Sequence, residues 1–201
     1  GSLMNPLLVL GASGCGKSHI LSASVQAMIR RQDGNVHLLS VSAMRSWESL
    51  PDGWQDAVSH ARLIAIDDLH LAEERIATEL GLMIDYALNL GVQVIATSRV
   101  DSNEWQARRL WEVMRSSTSI WLKQPSSSSL ITHLRRDTSG RSLLLDDSML
   151  ARIVTFGNGD WRSTDAAFEK VALAIESGER VVSGDDVTNI LQDAPTMMTT
   201  Q

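Results

Sequence analysis

The sequence predicts an α/β domain built on a parallel sheet, followed by a smaller region made only of helices. Three observations support this prediction. Short apolar runs alternate with helical periodicity over the first 124 residues, which is typical of a parallel sheet covered on both faces. A glycine-rich loop joins the first apolar run to the first helix. Beyond that region the spacing of apolar residues is helical, with no convincing strand pattern.

The glycine-rich loop has Gly at its first position and Gly-Lys-Ser at its last three. Its residues are Gly11, Ala12, Ser13, Gly14, Cys15, Gly16, Lys17 and Ser18. Glycines let successive backbone N–H groups turn toward phosphate oxygens, and a helix that begins near Lys17 adds its positive end. The Lys17 ammonium suits the β- and γ-phosphates, and the Ser18 hydroxyl suits Mg²⁺. The loop therefore predicts binding of a nucleotide with Mg²⁺, because an ordinary Gly-rich turn does not account for Lys and Ser at these positions.

The remaining strands and helices of the first region follow in alternation. The strands are predicted at residues 7–10, 36–39, 63–68, 92–96 and 119–122. The helices are predicted at residues 17–31, 43–49, 54–61, 73–89 and 104–114. The second and third helices have the weakest periodicity, and Gly91 marks the end of the fourth.

A change of composition at residues 124–129, which contain Pro125 and four serines, predicts a domain boundary. A flexible linker is the alternative, but the serine run is short, and one serine is expected to cap the next helix. The helices beyond it are predicted at residues 130–136, 146–156, 160–177 and 184–191. We therefore expect a core at 3–124, a helical lid at 125–194 and a frayed tail at 195–201.

Two carboxylates end the third predicted strand. Asp67 and Asp68 follow a buried apolar run, and parallel α/β sheets bind ligands at the carboxyl ends of their strands. Asp67 is expected to hold the Mg²⁺ bound to Ser18, directly or through water, and Asp68 to polarise the attacking water. A solvated helix-capping pair is the alternative. The phosphate loop upstream favours the metal and catalytic roles.

Composition limits the classes of function. The chain has 201 residues, 43% of them hydrophobic, and a formal net charge of −6. An acidic balance does not favour strong DNA binding by this chain alone. No apolar run approaches the ~20 residues that span a bilayer, and no signal-peptide pattern follows the apparent expression scar at Gly1-Ser2. The single cysteine, Cys15, rules out an internal disulfide and fits a reducing, cytoplasmic environment.

Several of these motifs resemble the DnaA/Hda replication-initiator family of AAA+ ATPases. Asn5-Pro6-Leu7, Gly-Lys-Ser-His at 16–19 and Ile66-Asp67-Asp68 are similar to its loop and Walker B motifs. The run 94–98 is similar to its sensor 1 strand, and 160–162 with 166–168 to its sensor 2 helix. The resemblance extends from residue 5 to about residue 191. It implies an AAA+ type phosphate-loop NTPase core followed by a helical lid.

The resemblance also implies roles for single residues. Thr97 or Ser98 would contact the γ-phosphate or the attacking water, and Arg115 would act as an arginine finger on a neighbouring subunit. Arg162 would bind the nucleotide and couple its presence to the position of the lid. His19, next to Ser18, would also be one of the nucleotide-binding residues. Each has a plainer alternative, such as a strand end, an exposed helix residue or packing. Arg108 and Arg109 are the alternatives to Arg115.

The family implies an ATPase that hydrolyses slowly and acts as a switch in DNA replication initiation or its regulation. Its partner would be another AAA+ subunit, either a second copy or an initiator, or a replication protein, with nucleoid association in a bacterial cell. A non-hydrolysing nucleotide-bound adaptor and a helicase loader are the alternatives. The family's adenine-lining segment does not precede Asn5, and no helix-turn-helix follows the lid. We therefore expect base recognition to be altered, and origin recognition to require another protein.

Overall fold

The structure, a computed structural model, describes residues 4–32, 34–99, 105 and 108–192. The chain divides into two units, Gly1–Lys123 and Gln124–Gln201. We refer to the first as the core unit and to the second as the helical unit. Across the described ranges, none of the helices combines the length and the apolar character needed to cross a membrane.

The described part of the core unit contains one sheet of five parallel strands in the order β2-β3-β4-β1-β5. The strands are β1 (Leu7–Leu10), β2 (Asn35–Ser40), β3 (Ala61–Asp67), β4 (Gln93–Ser98) and β5 (Thr118–Trp121). Leu10 lies beside Ser98 on one side and Trp121 on the other, while Ile66 lies beside Ala96. The carboxyl ends of β1, β3 and β4 therefore meet at one edge of the sheet.

Helices cover both faces of this sheet. The helices are α1 (Lys17–Arg30), α2 (Trp54–Ser59), α3 (Glu74–Asn89) and α4 (Arg108–Met114). Leu21 and Val25 of α1 pack against Leu63 and Ala65 on one face. Because successive strand residues face opposite sides, Ile64 and Ile66 pack on the other face, in a larger cluster that includes α3. This architecture confirms the predicted parallel α/β core.

Three boundaries in the core unit differ from the sequence prediction. In place of the predicted helix at 43–49, the structure has a single 3₁₀ turn, Val41–Met44. Residues three apart point the same way in a 3₁₀ turn, so this turn buries both of its terminal side chains. The predicted helix at 54–61 ends at Ser59, since Ala61 is buried as the first residue of β3. Of the predicted helix at 104–114, Arg108–Met114 is helical, and residues 104, 106 and 107 lie outside the described residues.

A further difference concerns the end of β4. The sequence prediction ends this strand at residue 96, because Thr97 and Ser98 are polar. Both are fully buried, and they pair with Val9 and Leu10 of β1. The strand is therefore longer than predicted, and its last two side chains lie inside the core unit.

The helical unit is a small bundle with its own apolar core. Its helices are α5 (Ser127–Gly140), α6 (Asp147–Phe156), α7 (Trp161–Glu176) and α8 (Gly184–Gln192). Leu134, Ile153, Phe168 and Val171 are among its buried residues. Ser126 caps α5 by accepting the N–H of Ser129 at 3.1 Å, as the serine run predicts, so α5 begins three residues earlier than expected. The tail predicted at 195–201 lies outside the described residues.

Candidate functional site

The glycine-rich loop connects the end of β1 to the start of α1. Gly14 and Gly16 have φ angles of 75° and 100°, in the left-handed region that glycine adopts without steric cost. Gly16 is the N-cap residue of α1, and no side chain caps this helix end. The first N–H groups of α1 are therefore left without a capping side chain, which is the arrangement that favours an anion.

Gly11 is required for close packing at the start of the loop. A Cβ atom at this position would lie 2.6 Å from Cys15 Sγ and 2.8 Å from the backbone oxygen of Leu122. Cys15 is itself buried, so its side chain fills the inside of the loop. The thiol therefore has a packing role, and only glycine fits opposite it.

Lys17 is buried beneath the loop, with 7% of its surface exposed. Its Nζ donates hydrogen bonds to the carbonyl oxygens of Gly11 at 2.9 Å and Ala12 at 2.8 Å. An ammonium group has three donors, and these two carbonyls take two of them. The loop thus holds a positive charge at its centre. Ser18 is half-buried on the first turn of α1, and His19 is exposed.

Thr97 connects Asp67, the last residue of β3, with Asp68, which follows it. Its hydroxyl donates to Oδ1 of Asp67 and accepts the backbone N–H of Asp68 at 2.9 Å. Asp68 has the left-handed backbone angles φ 57° and ψ 45°, an uncommon conformation for a residue other than glycine. The side chain of Thr97 therefore fixes both the Asp67 carboxylate and the turn that carries Asp68.

His70 lies in a 3₁₀ turn, Leu69–Leu71, directly after the aspartates. Its Nδ1 accepts the backbone N–H of Arg99 at 3.3 Å, so the neutral ring carries its proton on Nε2. Burial lowers the pKa of His70. The negative charge of Asp68 acts in the opposite direction, whereas the positive charges of Arg99 and Lys17 lower the pKa further. The turn that follows the aspartates is therefore tied to the end of β4 through His70.

The structure brings together most of the site residues predicted in the core unit. Gly11 directly follows Leu10, which lies beside Ser98, and Asp67 is the last residue of the neighbouring β3. The loop, the two aspartates and the end of β4 consequently share the carboxyl edge of the sheet. This edge combines an uncapped helix terminus, a buried lysine, a hydroxyl group and two carboxylates.

Arg115 lies away from this group, in the turn between α4 and β5. It is exposed, and its guanidinium carbon is 5.5 Å from the centre of the Trp111 ring. The two alternative arginines both form ion pairs within the chain. Arg109 Nη2 is 2.6 Å from Asp85 Oδ2, and Arg108 Nε is 2.9 Å from Glu112 Oε1. This difference favours Arg115 over them as a group that reaches another molecule.

Arg162 belongs to the helical unit, where it is the exposed second residue of α7. Asp160 caps this helix by accepting the N–H of Ser163 at 2.8 Å. The motif predicted from 160–162 is therefore a capped helix start. A role for Arg162 in binding a nucleotide stays a prediction.

Sequence reasoning gave no role to two residues that tie neighbouring strands together, one at the start of β1 and β4 and one at the end of β4. The Asn5 side chain donates to the oxygen of Val92 and accepts the N–H of Val94, both at 2.9 Å, which ties the chain entering β1 to β4. The backbone N–H of Arg99 connects the end of β4 to His70. The sequence signal for Asn5 is the resemblance of Asn5-Pro6-Leu7 to the family, and it does not identify a partner 87 residues away.

The fold is similar to that of several solved structures. Domain III of the Thermotoga maritima replication initiation protein DnaA superposes with a TM-score of 0.81 at 17% identity, covering 94% of this chain and 84% of that chain. AMPPCP-bound DnaA from Aquifex aeolicus gives 0.69 at 17% identity, covering 89% of this chain and 59% of that one. The Thermotoga maritima RuvB Holliday junction branch migration motor gives 0.67 at 18% identity, covering 93% and 61%.

No protein-family model matches the sequence, and no curated protein matches it either. At identities of 15–19% the structural matches establish the fold. The chain has a DnaA-like AAA+ fold, as the sequence motifs predict.

Proposed function

We propose that this chain is an ATP-binding AAA+ switch that hydrolyses ATP slowly and acts in DNA replication initiation or its regulation. The observation that carries the proposal is the group of side chains at the carboxyl edge of the sheet. Lys17 lies inside the glycine loop that follows β1, and Asp67 ends β3, which is separated from β1 in the sheet by β4 alone. A cation beside oxygen ligands for a metal is what a nucleotide triphosphate with Mg²⁺ requires.

The residues present fit both a nucleotide and a Mg²⁺ ion. The loop presents an uncapped helix N-terminus, and the positive φ angles of Gly14 and Gly16 turn its backbone as a phosphate-binding loop requires. Ser18 and Asp67 supply the hydroxyl and carboxylate oxygens that Mg²⁺ prefers. When bound, Mg²⁺ would neutralise charge on the phosphate oxygens. The similar fold of an AMPPCP-bound DnaA adds support for a nucleotide.

The proposed mechanism assigns one task to each side chain. Lys17 stabilises negative charge on the terminal phosphates, and Asp68 orients a water molecule for attack. Thr97 holds the Asp67 carboxylate, and either Thr97 or Ser98 contacts the phosphate or the water. Arg115 acts on the nucleotide of a neighbouring subunit, and Arg162 couples the nucleotide to the helical unit. Turnover is therefore slow until a neighbour supplies its arginine.

The proposed partners are another AAA+ subunit, either a copy of this chain or an initiator, or a replication protein. The similar folds of a replication initiation protein and a branch migration motor support a setting on DNA. The formal net charge of −6 argues that this chain alone binds DNA weakly. We place the protein in the cytoplasm, in association with the nucleoid.

Calorimetric titration with ATP and with ADP, each with Mg²⁺, tests the nucleotide site. We expect the parent to bind and Lys17→Ala to lose binding, because the buried ammonium faces the loop. Arg30→Ala, at the exposed far end of α1, is the control and should bind like the parent. Absence of binding by the parent, or equal binding by Lys17→Ala, would contradict the proposal.

A non-hydrolysing adaptor is the second candidate. The observation that favours it is that Asp67 accepts the single donor of the Thr97 hydroxyl, which is therefore not available to donate to a phosphate or a water molecule. Such an adaptor would bind nucleotide and dock on a DNA-associated partner. Steady release of phosphate from ATP, at a rate that rises more than in proportion to protein concentration, would exclude the adaptor. Tight binding without release, at any concentration, would instead favour it over the switch.

A further inference from the structure

We propose that the outer edge of β2, together with an apolar groove beside it, binds an extended peptide of a partner protein. The peptide would carry a large apolar side chain flanked by lysine or arginine. This surface is separate from the carboxyl edge of β1, β3 and β4. The proposal therefore does not depend on the nucleotide chemistry.

The first observation is that β2 is an open edge. It is the last strand in the sheet order and pairs with β3. In the described part of the chain, no backbone–backbone hydrogen bond outside that pairing involves Asn35–Ser40. The strand also contains no charged residue and no proline, which commonly protect edges. Its unpaired backbone groups therefore provide a template for another strand.

The second observation is a groove of about 220 Å³ on the face where α2 lies. Its lining is mostly apolar and includes Leu39, Trp47, Leu50, Trp54, Val58 and Ile64. His37 and Leu39 line it from β2, and His37 Nε2 lies 3.2 Å from the oxygen of Ala57 on the opposite wall. A water molecule occupies about 30 Å³ in the liquid, so the groove has room for a large side chain.

The third observation is the charge around the groove. Residues 46–60 contain Glu48, Asp52 and Asp56 but no lysine or arginine. Arg75 lies 4.0 Å from Glu48 and His60 Nδ1 lies 3.7 Å from Asp56, so both of these carboxylates have a basic side chain nearby. Asp52 lines the groove itself. A peptide with basic residues beside its apolar side chain complements this rim.

Together these observations favour an extended peptide over other occupants. In strand addition, backbone hydrogen bonds give affinity and a pocket for an alternate side chain gives specificity. A small apolar molecule would fill the groove and leave the β2 backbone unpaired. Two copies joined through β2 would bring their acidic rims together, which is unfavourable. An extended peptide can pair with the β2 backbone, place an apolar side chain in the groove and bring basic side chains beside the carboxylates.

Selection from a library of random ten-residue displayed peptides tests the proposal. We expect the parent to enrich sequences with an aromatic or large aliphatic residue flanked by Lys or Arg. Ala57→Phe places a ring in the groove and should weaken binding of the selected peptide by about tenfold or more, roughly the effect of one lost side-chain contact. Ala27→Phe, on the exposed face of α1, is the matched control and should bind like the parent.

Two further measurements separate strand addition from general adhesion. Bound peptide should slow hydrogen exchange of the β2 amides, and the double variant Asp52→Lys, Asp56→Lys should weaken binding even if Ala57→Phe fails to fold. The proposal is overturned if no sequence is enriched, if both groove and rim variants bind like the parent, or if the β2 amides are not protected. A parent dimer that Ala57→Phe dissociates without peptide would assign the groove to a second copy and also overturn it.

Discussion

The hydroxyl of Thr97 on β4 donates to the carboxylate of Asp67 at the end of β3. The same oxygen accepts the N–H of Asp68, whose backbone is left-handed. One fully buried side chain thus determines where the first carboxylate points and how the second is presented. The two strands are coupled at the point where the candidate chemistry takes place.

Replacing Thr97 should show how much this coupling contributes. Thr97→Val leaves the Asp68 N–H without its partner, which costs about 1–3 kcal/mol when such a donor is buried. We expect the midpoint of denaturant unfolding of the core unit to fall, and ATP turnover to fall further than ATP binding. Thr97→Ser keeps the hydroxyl and should restore most of both. A Thr97→Val variant as stable and as active as the parent would remove the coupling role.

Arg115 should act on a neighbouring molecule. We expect Arg115→Ala to bind ATP like the parent but to lose the rise of specific activity with protein concentration, since an arginine finger acts in the transition state. Arg108→Ala is the control, because Arg108 pairs with Glu112 inside its own helix. Phosphate release at increasing concentrations of each variant is the measurement. Equal concentration dependence in Arg115→Ala and the parent would contradict the trans role.

His70 should make stability depend on pH. Burial lowers its pKa in the folded state below the usual 6.5, so the unfolded chain takes up the proton first as the pH falls. The stability that neutral His70 supports is therefore present above about pH 7 and is lost as the pH drops through 6.5. The melting temperature of the parent should fall more steeply than that of His70→Gln between pH 7.5 and roughly pH 5.5. The exposed His19→Gln is the control, and parallel curves for all three proteins would contradict the prediction.

Gly11→Ala should destabilise the core unit. Its new Cβ would overlap Cys15 Sγ and the backbone oxygen of Leu122, and the backbone atom cannot move aside. We expect a loss of about 1–3 kcal/mol, the range for overpacking, together with weaker nucleotide binding. Gly140→Ala is the contrasting variant, since a Cβ there meets no atom within 4 Å. It should keep or slightly raise stability, and a Gly11→Ala protein that melts like Gly140→Ala would argue against tight packing of the loop.

Local signals predicted much of the core unit. The glycine loop, the aspartate pair and the order of strands and helices can be identified because each depends on neighbouring residues. The apolar run alone ended β4 too early, at residue 96, because Thr97 and Ser98 are polar by type and become buried only through pairing with β1. The family resemblance at 94–98 did include both residues. In place of the helix predicted at 43–49 the structure has a 3₁₀ turn, Val41–Met44, whose two terminal side chains are buried.

Contacts between distant parts of the chain were beyond sequence reasoning. Asn5 meets Val94, and Arg99 meets His70, only after the strands have taken their order in the sheet. The ion pair of Arg109 with Asp85 likewise depends on the packing of α4 against α3. Arg108, Arg109 and Arg115 are close in the sequence. In the folded chain Arg108 and Arg109 form ion pairs with Glu112 and Asp85.

The position of β1 in the sheet has a consequence for how the protein is made. Leu7 pairs with Ile95 and with Thr118, so both neighbours of β1 are synthesised long after it. At 5–20 residues per second, the ribosome delivers β5 on the order of ten seconds after β1. Until β4 has been synthesised, the strand β1 and the glycine loop have neither of their neighbouring strands to pair with. The earliest part of the core to be translated is therefore among the last to be completed, and its exposure to chaperones is set by the rate of translation.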